Sequence, residues 1–219
     1  MRNVQRGDMP DSLVQNANTW RLQLLREIRA CRRTARQVSA SCFDKYKQPD
    51  VRQALRTMYR GLCCYCEGRI VDVSFDHIEH RKPKSKYPGD TFNWDNLHLA
   101  CQKCNTAKGN KWSGAAPILD AVLDNPLTDH LTYQESATGL RRWPSSDRGT
   151  TTVEHADLDR DGWDGLPGSR AKVFLETVGI MKGIKDSLSP NANAVRRELQ
   201  GKAKGEYGTV IAYAMEQFG

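Results

Sequence analysis

Residues 63–112 read CCYCEGRIVDVSFDHIEHRKPKSKYPGDTFNWDNLHLACQKCNTAKGNKW. Two Cys-x-x-Cys pairs, Cys63/Cys66 and Cys101/Cys104, bracket this span. Together they supply the four thiolates of a closed tetrahedral zinc site. Four buried reduced cysteines are the plain alternative, but both spacings fall among polar residues, which favours the metal. Cys64 is then a spare thiol beside a ligand. The loop between the pairs is longer than a zinc ribbon needs, and it holds three His residues, several carboxylates and an Asn-rich return.

Working outward, 219 residues with 38% hydrophobic composition suffice for one core, with room for a small appended lobe. No apolar run approaches the length that spans a membrane. The opening MRNVQRGDMPDS lacks the apolar stretch of a signal peptide, so a cytoplasmic protein is expected, with cysteines serving as metal ligands or free thiols. The net charge of +7 is unevenly spread: residues 1–62 carry +8, residues 63–114 carry +2 and residues 115–219 carry −3. A basic flank beside a metal site suits a polyanionic substrate, although charged helix faces are commonly just solvated.

In the N-terminal region, Leu24, Ile28, Cys31, Ala35 and Val38 recur at helical spacing, with Arg26, Arg29, Arg33 and Arg36 opposite. This arginine stripe, Arg29 and Arg33 above all, either contacts phosphates or is the solvated side of a packed helix. A second helix is expected from Pro49, using Val51, Leu55, Met58 and Leu62 and ending at Gly61. Arg69 to Ile78 reads as a strand or hairpin, and HRKPKSKYPGD as a basic loop. Leu97 to Leu99 reads as a strand returning to the second knuckle. A helix beginning near Cys101 would align Cys101, Cys104, Asn105 and Lys108 on one face.

Beyond the core, Ile118 to Leu123 reads as a short helix stopped by Asn125 and Pro126, and residues 128–168 as irregular. DLDRDG, residues 157–162, matches the opening of an EF-hand loop. Its twelfth position is Gly168 rather than a bidentate Glu, so an acidic surface turn is expected there. Helical packing faces return with Val173, Phe174 and Val178 before Gly179, and with Val210, Ile211, Met215 and Phe218. Internal repeats are absent from the sequence.

Between the knuckles lie the components of metal-assisted phosphodiester hydrolysis: an imidazole to deprotonate water, oxygen ligands suited to magnesium, and basic residues for phosphates. Two acid/His pairs compete for the central role, Asp76/His77 and Glu79/His80. In a strand residues 77 and 80 point to opposite faces, so both cannot serve equally.

At these residues the chain resembles the HNH endonucleases. The resemblance implies an α+β, mostly helical protein built on a ββα-metal (His-Me finger) core. It implies Glu79/His80 as the acid/His pair, with Pro83 to Ser85 at the family's offset, Asn96 in WDNL as the central Asn and Asn105 in CQKCNTAKG as the last metal ligand. The third position is thus Asn rather than His, which keeps an oxygen ligand. His80 is then the general base, oriented through Asn96, with Glu79 and Asn105 holding the catalytic Mg2+ or another divalent ion. His77 is left a structural or auxiliary part, although spacing alone does not settle which His is the base. Cys63, Cys66, Cys101 and Cys104 hold a structural Zn2+. Lys84, Lys86, Lys108 and Lys111 are candidate phosphate contacts.

CCYCE, HIEHRKPKSKYPGDTFNWDNL and CNTAKG look like the retron- and Septu-associated HNH subfamily, as does NPLTDHLTYQESATGL. That likeness implies an effector of anti-phage defence that degrades invading nucleic acid, read here as DNA, and works with an ATPase partner; this chain has no Gly-x-x-x-x-Gly-Lys-Ser/Thr loop of its own. The organisation expected is a basic helical region over 1–62, the zinc-bearing core over 63–114, and an irregular and helical region over 115–219 packed on it. Two other readings stay open: a zinc-stabilised nucleic-acid or protein-binding module that does not cut, and a nuclease acting on RNA.

Overall fold

The computed structural model describes residues 1–34, 37–70, 76–186 and 191–218. Helix α1 spans Asp11–Thr34, starting well before the apolar periodicity at Leu24. It buries Leu13, Leu24 and Cys31 and leaves Arg26 and Arg29 exposed. Val38, expected on the same helix, lies beyond its end and packs on the core from a non-helical segment. Ala35 and Arg36 lie outside the described residues, as does the side chain of Arg33. One turn of helix, α2 (Ala40–Phe43), leads through a 3-10 turn to α3 (Pro49–Tyr59), where Pro49 occupies the first turn. Val51 and Leu55 on α3 are fully buried. The helix stops one residue earlier than expected, because Arg60 (φ 54°) and Gly61 (φ 68°) both turn left-handed and Gly61 N–H caps the Arg56 carbonyl.

The centre is an antiparallel pair, β1 (Asp76–His80) and β2 (Leu97–Cys101), followed at once by α4 (Gln102–Lys108). Strand β1 therefore sits at the end of the stretch expected to be extended; Val71, Val73 and Phe75 lie outside the described residues. The register sets Asp76 opposite Cys101, Glu79 opposite His98 and His80 opposite Leu97. One end of the ribbon thus meets the second knuckle, and the other carries His80. The first knuckle is tied to the ribbon by Cys64 N–H donating to the Leu99 carbonyl at 2.8 Å.

Residues 115–219 depart most from expectation. Ile118 to Leu123 is not a helix. Its N–H groups go to side chains instead: Leu119 to Thr152 Oγ1, Asp120 to Asp124 Oδ2 and Val122 to Asp120 Oδ1. The region expected to be irregular holds a hairpin, β3 (Leu131–Ser136) and β4 (Gly139–Pro144), and helix α5 (Asp147–His155), capped by Ser146 Oγ accepting from Gly149 N–H. Gly139 is required at the hairpin turn. Its φ is 112°, and a Cβ there would stand 2.6 Å from the Pro167 backbone.

The EF-hand-like segment is not simply a surface turn, because Asp159 points inward. It accepts from Arg142 N–H (2.9 Å) and Arg170 Nη1 (2.8 Å). Helix α6 (Leu166–Asp186) runs on through Gly179, and α7 (Ala192–Lys202) and α8 (Gly208–Phe218) pack with it. The main apolar cluster draws on Leu24 and Leu55, on Leu97 and Leu99, and on Ile118 and Leu158, so all three stretches of the chain share one core. Smaller clusters sit under α6 and α8. Among the described residues no helix is long and apolar enough to cross a membrane.

Candidate active site

The four expected thiolates converge. The Sγ atoms of Cys63, Cys66, Cys101 and Cys104 all lie within 4.8 Å of one another, and Cys66 and Cys101 are 3.9 Å apart. Sulfurs at the corners of a tetrahedron with ~2.3 Å Zn–S bonds stand about 3.8 Å apart. The cluster therefore suits zinc. Four thiolates around a dication leave a net negative charge, and Arg160 Nη1 lies 3.4 Å from Cys104 Sγ, where it offsets part of that charge. The first knuckle closes because Glu67, just after Cys66, takes a left-handed φ of 65° and its N–H returns to the Cys63 carbonyl.

At the far end of the ribbon, Asn96 clamps the chain as it leaves β1. Its Oδ1 accepts from Lys82 N–H (2.7 Å), and its Nδ2 donates to the carbonyls of Lys82 (3.0 Å) and Asp90 (3.2 Å). Lys82 is two residues beyond His80, so this amide fixes the path on which His80 sits. The imidazole packs edge-on against Tyr46, with ring centroids 4.5 Å apart, and its Nε2 lies 2.9 Å from the Thr91 carbonyl. A carbonyl only accepts, so Nε2 carries the proton and Nδ1 keeps the lone pair. Burial, against the bond to Thr91, pushes the His80 pKa down to about 4, so the ring is neutral at neutral pH.

Glu79 is buried beside it. Its Oε1 pairs with the Lys108 ammonium and accepts from the Tyr65 hydroxyl at 3.3 Å. Burial raises the Glu79 pKa, and Lys108 opposes that rise. Both Glu79 and His80 border an open cleft of about 480 Å³, together with His77, Asn105, Asn110, Tyr46, Lys47, Arg52 and Lys84. The cleft gathers both acids, Glu79 and Asp76, both imidazoles and the helix-borne amide under a cationic wall.

The rival acid is otherwise engaged. Asp76 is held by Arg52 and by Arg56 Nε at 2.6 Å, both on α3, which keep its carboxyl below the usual range despite burial. His77 is half-buried at the cleft.

The expected phosphate contacts separate. Lys84 lines the cleft, with Nζ 3.0 Å from Asp44 Oδ1 and 3.1 Å from the Tyr46 hydroxyl. Lys86, Lys111 and Arg29 are exposed outside it. Lys108 is only 1% exposed, and its ammonium is committed to Glu79 and to the His80 carbonyl at 2.8 Å. It faces inward because the α4 face that carries Cys101 and Cys104 packs on the ribbon, so it is not available as a surface contact.

Residues 63–111 match the family model described as HNH endonuclease. They form an HNH domain. The chain is also 30% identical over 154 residues to a Septu protein PtuB of Bacillus thuringiensis, a match spanning 68% of this chain and 57% of that protein. With a Septu protein PtuB of Bacillus mycoides (strain KBAB4) it shares 33% over 177 residues, spanning 65% of this chain and 58% of the relative. The chain thus spans under three fifths of the length of the curated relatives it matches.

Within residues 63–111 the cysteines that cluster and the acid, His and Asn residues that border the cleft were visible in the sequence, but the cleft's opposite wall was not. Tyr46, Lys47 and Arg52 come from the region before the first knuckle. Their faint signal was an aromatic and two cations set in a short segment ahead of the core. Nothing in their spacing to His80 or Asn105 could show that α3 folds back on the site.

Proposed function

We propose that the chain is a metal-dependent endonuclease that hydrolyses phosphodiester bonds in DNA, with β1, β2 and α4 as its ββα-metal element. The observation that carries this reading is the cleft where His80, Glu79 and Asn105 meet beneath Lys47, Arg52 and Lys84. Such a cleft accommodates a phosphodiester backbone, and its cations stand where phosphate oxygens would lie.

In this reading His80 is the general base. With Nε2 fixed on the Thr91 carbonyl, Nδ1 is the nitrogen able to accept a proton from an in-line water. Asn96 is a positioning residue, setting the backbone that carries the imidazole. Glu79 and the Asn105 amide oxygen are hard ligands that suit Mg2+. A divalent ion bound there supplies positive charge for the phosphate and the leaving oxygen. Asp76, neutralised by two arginines, fits a strut between α3 and β1 better than a metal ligand, and this favours His80 over His77 as the base.

The likeness to Septu proteins extends the reading. In this reading the chain is a cytoplasmic nuclease effector of anti-phage defence that acts with an ATPase partner, and that likeness supports the defence role. The test is cleavage of plasmid DNA and of a structured RNA by the zinc-loaded protein, with Mg2+ or with EDTA, alone and with the ATPase. Mg2+-dependent cutting of DNA is expected. RNA cutting alone would move the substrate, and binding without any cutting under all conditions would leave a non-cleaving module.

A further inference from the structure

Both zinc knuckles reach the same carboxylate oxygen. Tyr65 lies between Cys63 and Cys66, and its hydroxyl donates to Glu79 Oε1 at 3.3 Å. Lys108 lies one turn beyond Cys104 on α4; it pairs with that same Oε1 and donates to the His80 carbonyl at 2.8 Å. All three side chains are buried, Tyr65 at 2% exposure, Lys108 at 1% and Glu79 at 4%.

The zinc site itself needs neither contact, because four thiolates complete a closed tetrahedral centre. Nor does stability readily explain a buried ion pair, since an apolar replacement of similar volume is often neutral or better. The location supplies a reason: one ammonium bridges the acid's side chain and the base's backbone, and ties both to the helix that carries Asn105. A carboxylate has two oxygens with about four lone-pair sites, so Oε2 can take a cation while Oε1 keeps both donors. Mg2+ tolerates little departure from octahedral geometry, so a carboxylate fixed in orientation binds it better than a rotating one.

We infer that Tyr65 and Lys108 are positioning residues that hold Glu79 by Oε1 and present Oε2 to the divalent ion, making the zinc knuckles the frame of the catalytic acid. This rests on the reading of Glu79 as a metal ligand.

The test measures Mn2+ binding by electron paramagnetic resonance in a His80→Ala background, where turnover does not intervene. Tyr65→Phe and Lys108→Met should each weaken Mn2+ binding by about 10- to 100-fold while zinc stays at about one per chain. Lys108→Arg should recover part of the loss. With His80 restored, the same variants should need more Mg2+ for half-maximal cleavage and regain much of their kcat at saturation. Unchanged or tighter Mn2+ binding in folded, zinc-loaded variants would overturn the inference, tighter binding being the mark of a lysine that merely competes with the ion. If Lys108→Met loses zinc, Tyr65→Phe decides alone, because it removes one hydroxyl and leaves the ring. Glu79→Gln separates the two failures. If it leaves Mn2+ binding unchanged, the ligand reading falls and this inference with it; if it alone abolishes binding, only the positioning role is overturned.

Discussion

His80 is held from three directions: by the T-shaped contact with Tyr46, by the Thr91 carbonyl at Nε2, and by the backbone that Asn96 clamps. The last of these can be tested apart from the chemistry. Asn96→Ala removes one acceptor and two donor bonds, and each buried group left unpaired costs about 1–3 kcal/mol. The variant should melt lower and cut more slowly, yet keep its zinc. A variant with unchanged melting and unchanged cleavage would deny the clamp. A second residue makes a pH prediction. His98 is buried, with Nδ1 2.6 Å from the Tyr59 hydroxyl and Nε2 4.0 Å from Asp120, and burial holds its pKa well below the usual value. The unfolded chain takes up a proton there as pH falls through about 6.5, whereas the folded chain resists it. Stability from neutral His98 is therefore complete above that pH and lost below it, at up to about 1.4 kcal/mol per pH unit. His98→Gln should flatten the fall in melting temperature between pH 7 and pH 5. An acid slope identical to that of the parent would place the sensitivity elsewhere.

At the scale of elements, the two knuckles and the β1–β2 ribbon stand or fall together, since Cys64 N–H bonds β2 and Cys101 ends β2 and leads directly into α4. Cys101→Ser should lower the zinc content from about one per chain, the melting temperature and the activity together, because binding energy at such a site is folding energy. A metal-free protein with unchanged melting would refute the structural zinc. These elements were legible in the sequence because their signals are local: x-x spacings between thiols, Pro49 at a helix start, and the apolar run Leu97 to Leu99 before Cys101. The hairpin of β3 and β4 was not. The inward positions are Leu131, Tyr133, Leu140 and a charged Arg142, which breaks the apolar alternation; the turn Ala137-Thr138-Gly139 lacks an Asn-Gly pair, and β4 packs on α6. Ile118 to Leu123 misled in the opposite sense: Ile118, Leu119 and Ala121 are buried while Leu123 is exposed, and Thr152, thirty-odd positions away, claims the Leu119 N–H. Both misses are tertiary effects. The candidate site divides along the same line: Glu79, His80, Asn105 and Lys84 come from the span between and around the knuckles, whereas Lys47 and Arg52 arrive from the start of α3 and the turn before it.

For the molecule as a whole, the +8 charge of residues 1–62 gains a location in the structure. Lys47 and Arg52 face the cleft, while Arg26 and Arg29 lie exposed along α1. If the α1 stripe tracks the DNA backbone, replacing Arg29 with Ala should reduce the salt slope of binding by about 0.9 for each phosphate that its guanidinium neutralises. A slope unchanged in a folded variant would return α1 to packing. The central claim, a nuclease whose base is His80, meets its most direct test in one comparison. Plasmid cleavage is measured for parent, His80→Ala and His77→Ala, each zinc-loaded, with Mg2+ and with the proposed ATPase partner. Loss of the base should slow His80→Ala by about 10²- to 10⁴-fold, with folding, zinc and DNA binding intact and His77→Ala affected less. Full activity in His80→Ala beside a folded but inactive His77→Ala would contradict the account and move the base to His77.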